Sequence, residues 1–248
     1  MEAVAAVAAV RGTSRLSAEE RAAIAAYAAR ATWPAGFVIY QRGASADGVF
    51  VVLRGRVVLR SRVRAGRGFV PGISTVGETF GAEGLTLNGR YATDARADEE
   101  TETLQLSGAR FRAFVREQPQ HALCLVSQVM CERSGLLERL RELTTLSVEQ
   151  RLVSTLLRLS GSEVFVAPDG RVTLDASRYR LLCEMVGATR ESVSLVLAKL
   201  VGEGLVTREG STVIVEPPDR LAAKLDQSWL DGEMLLSLGG DRERRALT

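Results

Sequence analysis

The spacing of hydrophobic positions changes repeatedly along the chain, and each change marks an expected boundary. Residues 1–32 read as a helical lead-in, alanine-rich at first; Ser17-Ala18-Glu19-Glu20 then forms a capping box for a second helix expected to run through Arg30. Trp33-Pro34-Ala35-Gly36 closes that segment. Short β-type runs follow at 37–40, 49–53, 56–59, 72–76 and 102–106, separated by turn signals at Gln41-Arg42-Gly43, Arg54-Gly55, Ala65-Gly66-Arg67-Gly68 and Asn88-Gly89. Many short strands at this spacing predict an antiparallel barrel or roll over 33–118.

The helical period returns at Pro119 and lasts to about Leu146. Val126, Val129, Arg133, Leu136, Leu140 and Leu143 alternate steps of three and four, the spacing of a coiled-coil seam; an amphipathic helix packed on its own roll is the plainer reading. Ser147 then stands as a cap for the next helix, and a hinge is expected there. Leu181, Leu182, Met185 and Val186 recur at helical spacing, Gly187-Ala188 interrupts, and Val193, Val196, Leu197 and Leu200 begin a second stripe. Downstream, 204–207 and 212–215 are strand-like runs around the turn Arg208-Glu209-Gly210-Ser211. Helix, turn, helix and hairpin over 147–216 predict a winged helix. Pro217-Pro218 stops the hairpin, and Leu221, Leu225 and Trp229 share a face of a further helix, expected to dock on the body ahead of a disordered 239–248.

Within that pattern Thr189 occupies an N-cap position, and Glu191 complements the positive end of the helix dipole. Arg190, Glu191, Ser192 and Ser194 are polar at the start of a helix whose other face is apolar. A DNA recognition helix needs this arrangement, because its first residues reach base edges while its back packs on the domain. An ordinary buried helical hairpin has the same spacing; the hairpin that follows favours DNA.

Composition narrows the picture. A net charge of +2 on 248 residues is too small to identify a nucleic-acid binder, so affinity for DNA must come from local placement of charge. Cys124, Cys131 and Cys183 show no metal or disulfide spacing, and free buried thiols are the plain reading, although Cys124 and Cys131 share a helix face on which a redox response across a dimer is conceivable. His121 is the only histidine, no metal site is expected, and nothing assembles a nucleophile with its base, so an enzyme is not expected. No membrane-length apolar run or convincing signal peptide stands in the sequence, which points to the cytoplasm.

The segment FVIYQRGASADGVFVVLRGRVVL followed by VGETFGAEGL resembles the cyclic-nucleotide-binding jelly roll. Joined to a winged helix, the chain is similar over about residues 20 to 216 to the bacterial family of the cyclic AMP receptor protein and the fumarate and nitrate reduction regulator (CRP/FNR). The resemblance implies an α+β protein: β roll over 33–118, dimerisation helix over 119–146 and winged helix-turn-helix over 147–216, with 217–248 an added C-terminal extension. It implies a homodimer on a palindromic operator of double-stranded DNA, in contact with RNA polymerase. Arg190 and Glu191 fall where the family reads base edges, and the family's second basic reader falls on Leu195. Thr189, Ser192 and Arg178 are then phosphate contacts.

In the family, a glutamate takes the ribose hydroxyl of cyclic AMP, an Arg-Ser pair holds its phosphate, and polar residues of the long helix reach the adenine. Along Gly77-Glu78-Thr79-Phe80-Gly81-Ala82-Glu83 the glutamate position falls on Ala82, with Glu83 one residue late. The Arg-Ser pair falls on Tyr91-Ala92 beside Arg90, and the adenine positions fall on Leu136 and Leu137. Two readings stay open: control without cyclic AMP, or a shifted pocket in which Glu83 and Arg90 rescue binding. The first is preferred, because a buried phosphate without its cation is strongly disfavoured. A sensor or interaction module that no longer touches DNA is the rival from another class. The family's iron–sulfur form needs an N-terminal cysteine cluster, which this chain lacks before Cys124, and its haem form needs axial ligands. The run Arg60-Ser61-Arg62-Val63-Arg64 reads as a solvated basic turn.

Overall fold

A computed structural model of the chain describes residues 15–62, 68–160, 172, 174, 176–210, 212–215, 220 and 221. Its described residues divide into two compact units, one of residues 15–145 together with Cys183–Gly187, the other of Leu146–Leu182 and the residues from Ala188 onward. In the first, the expected capping box is formed: the Glu20 N–H donates to Ser17 Oγ at 3.1 Å and the Ser17 N–H to Glu20 Oε2 at 2.6 Å. Helix α1 (Ala18–Ala25) nevertheless ends at Ala25 instead of Arg30. The next residues form strand β1 (Ala29–Trp33), antiparallel to β8 (Thr101–Leu106) with Ala29 opposite Gln105 and Trp33 opposite Thr101. Alanine's preference for helix amounts to tenths of a kcal/mol per residue, and a ladder with a central strand outweighs it. The helical lead-in expected to fill 1–32 is therefore partly a strand, and residues 1–14 lie outside the described residues.

Between them run β2 (Val38–Tyr40), β3 (Val49–Arg54), β4 (Val57–Arg62), β5 (Gly68–Ser74), β6 (Thr79–Phe80) and β7 (Asp94–Ala97), with a 3-10 turn at Ala82–Leu85. Two four-stranded antiparallel sheets result, in the orders β1-β8-β3-β6 and β2-β7-β4-β5. Strand β4 continues through Arg62, so Arg60 and Arg62 belong to a strand rather than to a solvated basic turn. Strand β7 escapes a sequence reading because its inward residues are only Ala95 and Ala97.

The uninterrupted run Val49-Phe50-Val51-Val52 follows from burial on both faces of β3. Val49 and Val51 enter one core with Ile24, Leu104, Leu106, Phe114 and Leu125, while Phe50 and Val52 enter a second with Tyr40, Phe80 and Tyr91. Helix α2 (Gly108–Glu117), not anticipated within the roll, begins at Ser107, whose Oγ accepts from the Arg110 N–H at 3.4 Å. Helix α3 (Pro119–Thr145) follows directly.

Helix α3 buries Ala122, Leu125, Gln128, Arg139 and Glu142, and this fixes its phase. Leu123, Val126, Met130, Leu136, Leu137 and Leu140 are exposed, as is Arg133. Of the positions expected in the seam, Val126, Arg133, Leu136 and Leu140 face outward and Val129 and Leu143 are half-buried, and Leu123, Met130 and Leu137 are exposed as well. The steps 123, 126, 130, 133, 137 and 140 have the same three-four alternation, so periodicity alone could not choose the phase.

In the second unit, Ser147 caps α4 (Val148–Ser160): the Gln150 N–H donates to Ser147 Oγ at 3.3 Å and the Ser147 N–H to Gln150 Oε1 at 2.9 Å. Helices α5 (Ala176–Val186) and α6 (Arg190–Gly202) are joined through Gly187 at φ 67°, a left-handed conformation that favours glycine. Strands β9 (Val206–Glu209) and β10 (Thr212–Val215) pair with Glu209 opposite Thr212, so the first strand runs two residues further than the sequence suggests. Leu221 is buried, whereas Leu225, Trp229 and residues 239–248 lie outside the described residues.

Phe114 is fully buried and its ring meets Tyr27 at 5.2 Å. Phe114→Ala is expected to cost about 3–5 kcal/mol and the neighbouring, exposed Val115→Ala less than about 1 kcal/mol, compared by urea unfolding.

Candidate nucleic-acid interface and effector site

Helix α6 separates its faces sharply. Val193, Leu197 and Leu200 are buried, and Thr189, Arg190, Glu191, Ser194 and Leu195 are exposed. Thr189 Oγ1 accepts from the Ser192 N–H at 3.3 Å and lies 3.1 Å from Ser192 Oγ, so the expected cap forms and the Ser192 hydroxyl turns toward it. The Glu191 carboxyl is held below its ordinary range by its own backbone N–H, the Thr189 hydroxyl and the Arg190 charge. A carboxylate at a helix N-terminus is also favoured by the dipole.

A residue missed in the sequence completes this end. The Arg190 guanidinium carbon lies 5.4 Å from the Tyr179 ring centroid on α5, and the Tyr179 hydroxyl donates to the Arg190 carbonyl at 3.5 Å. An aromatic face beneath an arginine limits where the guanidinium points. Its only signal in the sequence was a tyrosine one position after Arg178, which is itself half-buried on α5.

The second site is the interior of the roll. Gly81 is left-handed at φ 71°, and a Cβ there would lie 3.1 Å from ring atoms of both Tyr40 and Tyr91. Those two rings stack at 3.7 Å with 10° between their planes, while Phe50 and Phe80 stack at 4.9 Å beside them. The Tyr91 hydroxyl lies 2.8 Å from Asp47 Oδ1 and 2.9 Å from the Gly48 carbonyl oxygen. Burial raises the Tyr40 and Tyr91 hydroxyls well above the ordinary range. Tyr91, the position on which the family's phosphate-binding arginine was expected to fall, is thus a neutral, buried ring.

The neighbouring candidates separate. Ala82 begins the 3-10 turn, and Glu83 Oε1 accepts from the Ala92 N–H at 3.0 Å, which ties that turn to the approach of β7. Arg90 is exposed and donates to the Gly43 carbonyl at 2.8 Å. Glu83 and Arg90, the two residues of the shifted-pocket reading, thus each contact the backbone of a different segment. Leu136 and Leu137 sit on the exposed face of α3. Glu132 of α3, passed over in the sequence, instead reaches the roll, where the Thr79 hydroxyl donates to its Oε2 at 3.4 Å.

Of the cysteines, Cys183 is buried, Cys131 is exposed, and Cys124 is half-buried and hydrogen-bonded to Glu20, which raises its thiol and lowers its reactivity. His121 is half-buried at the start of α3. Among the described residues no cluster of three metal-binding side chains occurs, and no helix is long and apolar enough to cross a membrane.

Comparison with known proteins bears on both sites. The family model for the cyclic nucleotide-binding domain matches residues 30–118, and that for the Crp-like helix-turn-helix domain matches residues 150–224. The cAMP-activated global transcriptional regulator CRP of Haemophilus influenzae is 24% identical over 185 residues, 74% of this chain and 82% of the relative. The CRP-like cAMP-activated global transcriptional regulator of Mycobacterium tuberculosis is 24% identical over 195 residues, 77% of this chain and 86% of the relative. The chain belongs to the CRP/FNR family. This CRP/FNR protein is a transcription regulator with a helix-turn-helix DNA-binding domain. Its fold is shared with the c-di-GMP responsive global regulator CLP of Xanthomonas campestris at a TM-score of 0.69 and 23% identity, covering 80% of this chain and 99% of that one.

Glu132 gives this CRP/FNR roll a measurable property. Burial, then the charges of Glu83 and Glu78, push its carboxyl from 4.5 up to about 7, against the pull of the Thr79 hydroxyl. The folded protein therefore holds a proton that the unfolded chain releases above about pH 4.5, and the stability this confers at low pH is lost as pH rises through about 7. Glu132→Gln is expected to stabilise the protein by roughly 1–3 kcal/mol more at pH 8 than at pH 5, measured by urea unfolding. An equal effect at both pH values would place the carboxyl in an ordinary environment.

Proposed function

We propose that the protein is a homodimeric, cytoplasmic regulator that binds a palindromic operator without control by cyclic AMP and contacts RNA polymerase. The observation that carries the effector part is the Tyr40–Tyr91 stack: a ring stands where a phosphodiester would need a cation. Glu83, and Glu132 when ionised, add negative charge to that interior, which opposes an anionic ligand further. A role for cyclic AMP remains the second reading, favoured by the match to the cyclic nucleotide-binding domain and by cAMP-activated relatives.

The exposed apolar row Leu123, Val126, Met130, Leu137 and Leu140 on α3, with Arg133 among them, supports self-association. Two-fold symmetry then presents two copies of α6 to the two halves of a palindrome. Arg190 meets guanine O6 and N7 bidentately, and Glu191 accepts from cytosine N4. Thr189 and Arg178 bind phosphates, Ser194 lies on the groove-facing side, and Ser192 serves mainly the cap. The protein's chemistry is recognition, and no catalytic step is assigned to it.

Selection from random duplexes with full-length protein is expected to enrich a palindrome. On that palindrome Arg190→Ala should cost about 1–3 kcal/mol and relax the preference at one G·C pair in each half. Equal losses on every sequence would make Arg190 a phosphate contact, and enrichment of no sequence would favour an interaction module that has left DNA.

A further inference from the structure

Leu195 is 74% exposed in the middle of the outward face of α6. Its neighbours on that face, Arg190, Glu191, Ser194 and Ala198, are exposed as well, while the back of the helix is closed by Val193, Leu197 and Leu200. The side chain thus contributes almost nothing to the core of its own unit. Val201 is 39% exposed on this helix and the other exposed positions of this face are polar or small, so Leu195 is its most exposed large apolar group.

We infer that Leu195 reads the 5-methyl group of a thymine in the major groove. The inference rests on the proposed reading that α6 enters that groove. Leu195 lies four residues from Glu191, so it stands about one helical turn further along the face that Glu191 occupies. The base it reaches is about one or two base pairs from the pair that Arg190 reads. Leucine carries no donor or acceptor. Against guanine, adenine or cytosine it would cover groove-edge polar atoms without replacing their hydrogen bonds to water. Thymine alone offers an apolar group on the major-groove edge, so contact with its methyl removes apolar surface from water on both sides. Ser192 and Ala198, three positions to either side of the leucine, have short side chains, and Lys199, four positions on, donates to Glu149 Oε2 at 2.6 Å.

The test uses full-length protein and the palindrome that selection yields, with each thymine of the half-site replaced in turn by deoxyuridine, a change that removes only the methyl group. Binding is expected to weaken about three- to tenfold at one thymine, within about two base pairs of the position set by Arg190. Leu195→Ala, an exposed change to the best helix former, should weaken binding to the thymine duplex by a similar factor and erase the difference between thymine and deoxyuridine. Thymine-to-deoxyuridine sensitivity that survives in the Leu195→Ala variant, or none at any position while Arg190→Ala still relaxes its G·C pair, overturns the role of Leu195 and leaves the DNA reading intact. Failure of the unaltered protein to retain any duplex refutes the groove reading itself, and this role with it.

Discussion

Two aromatic rings packed face to face inside a small β roll decide what its interior can hold. Tyr91 stacks on Tyr40 at 3.7 Å, Phe50 and Phe80 close the sides, and Gly81 is left-handed beside them, where a Cβ would press on both tyrosine rings at 3.1 Å. Strand β3 makes the cluster possible because it is buried on both faces, sending Phe50 and Val52 inward and Val49 and Val51 toward the helices. A ring pair of this kind is stable because dispersion and apolar burial hold it without a charge. The proposal of effector-independent binding rests on this fact, because a phosphate needs a cation and directed donors.

The long helix α3 connects this interior to the outside of the molecule. Ala122 and Leu125 anchor it to the core beneath β3, and Glu132 brings a carboxyl that titrates near pH 7 against Thr79. The opposite side is left apolar and exposed from Leu123 to Leu140. Anchoring on one side fixes which residues appear on the other. The helix phase, and with it the exposed apolar row, is decided by packing on the roll.

That dependence explains which parts were legible in the sequence. The winged helix was readable because its signals are local: Thr189 as cap, Gly187 at the turn, β-branched runs around Gly210. Arg190, Glu191 and Ser194 all emerge on the exposed face of α6, where side-chain type and helical spacing had put them. Non-local choices were not readable. The alanine-rich stretch at 29–33 becomes a strand only because β8 is there to pair with it, and the exposed face of α3 could not be placed because two phases satisfy the same alternation. At the effector site, the loss of the family's ligands at Ala82 and Tyr91 was visible, but not what replaced them. Glu132 and the stacked partner Tyr40 come from elements distant in sequence, and Arg90 is turned outward by the Gly43 carbonyl.

A filled roll should leave DNA binding independent of cyclic AMP. Fluorescence anisotropy of the selected palindromic duplex, titrated with full-length protein in the absence and presence of saturating cyclic AMP, tests this most directly. Superimposable curves with the same dissociation constant are the expected result. Binding that appears only with cyclic AMP would mean that the Tyr40–Tyr91 stack opens to admit the nucleotide, and would contradict effector-independent binding.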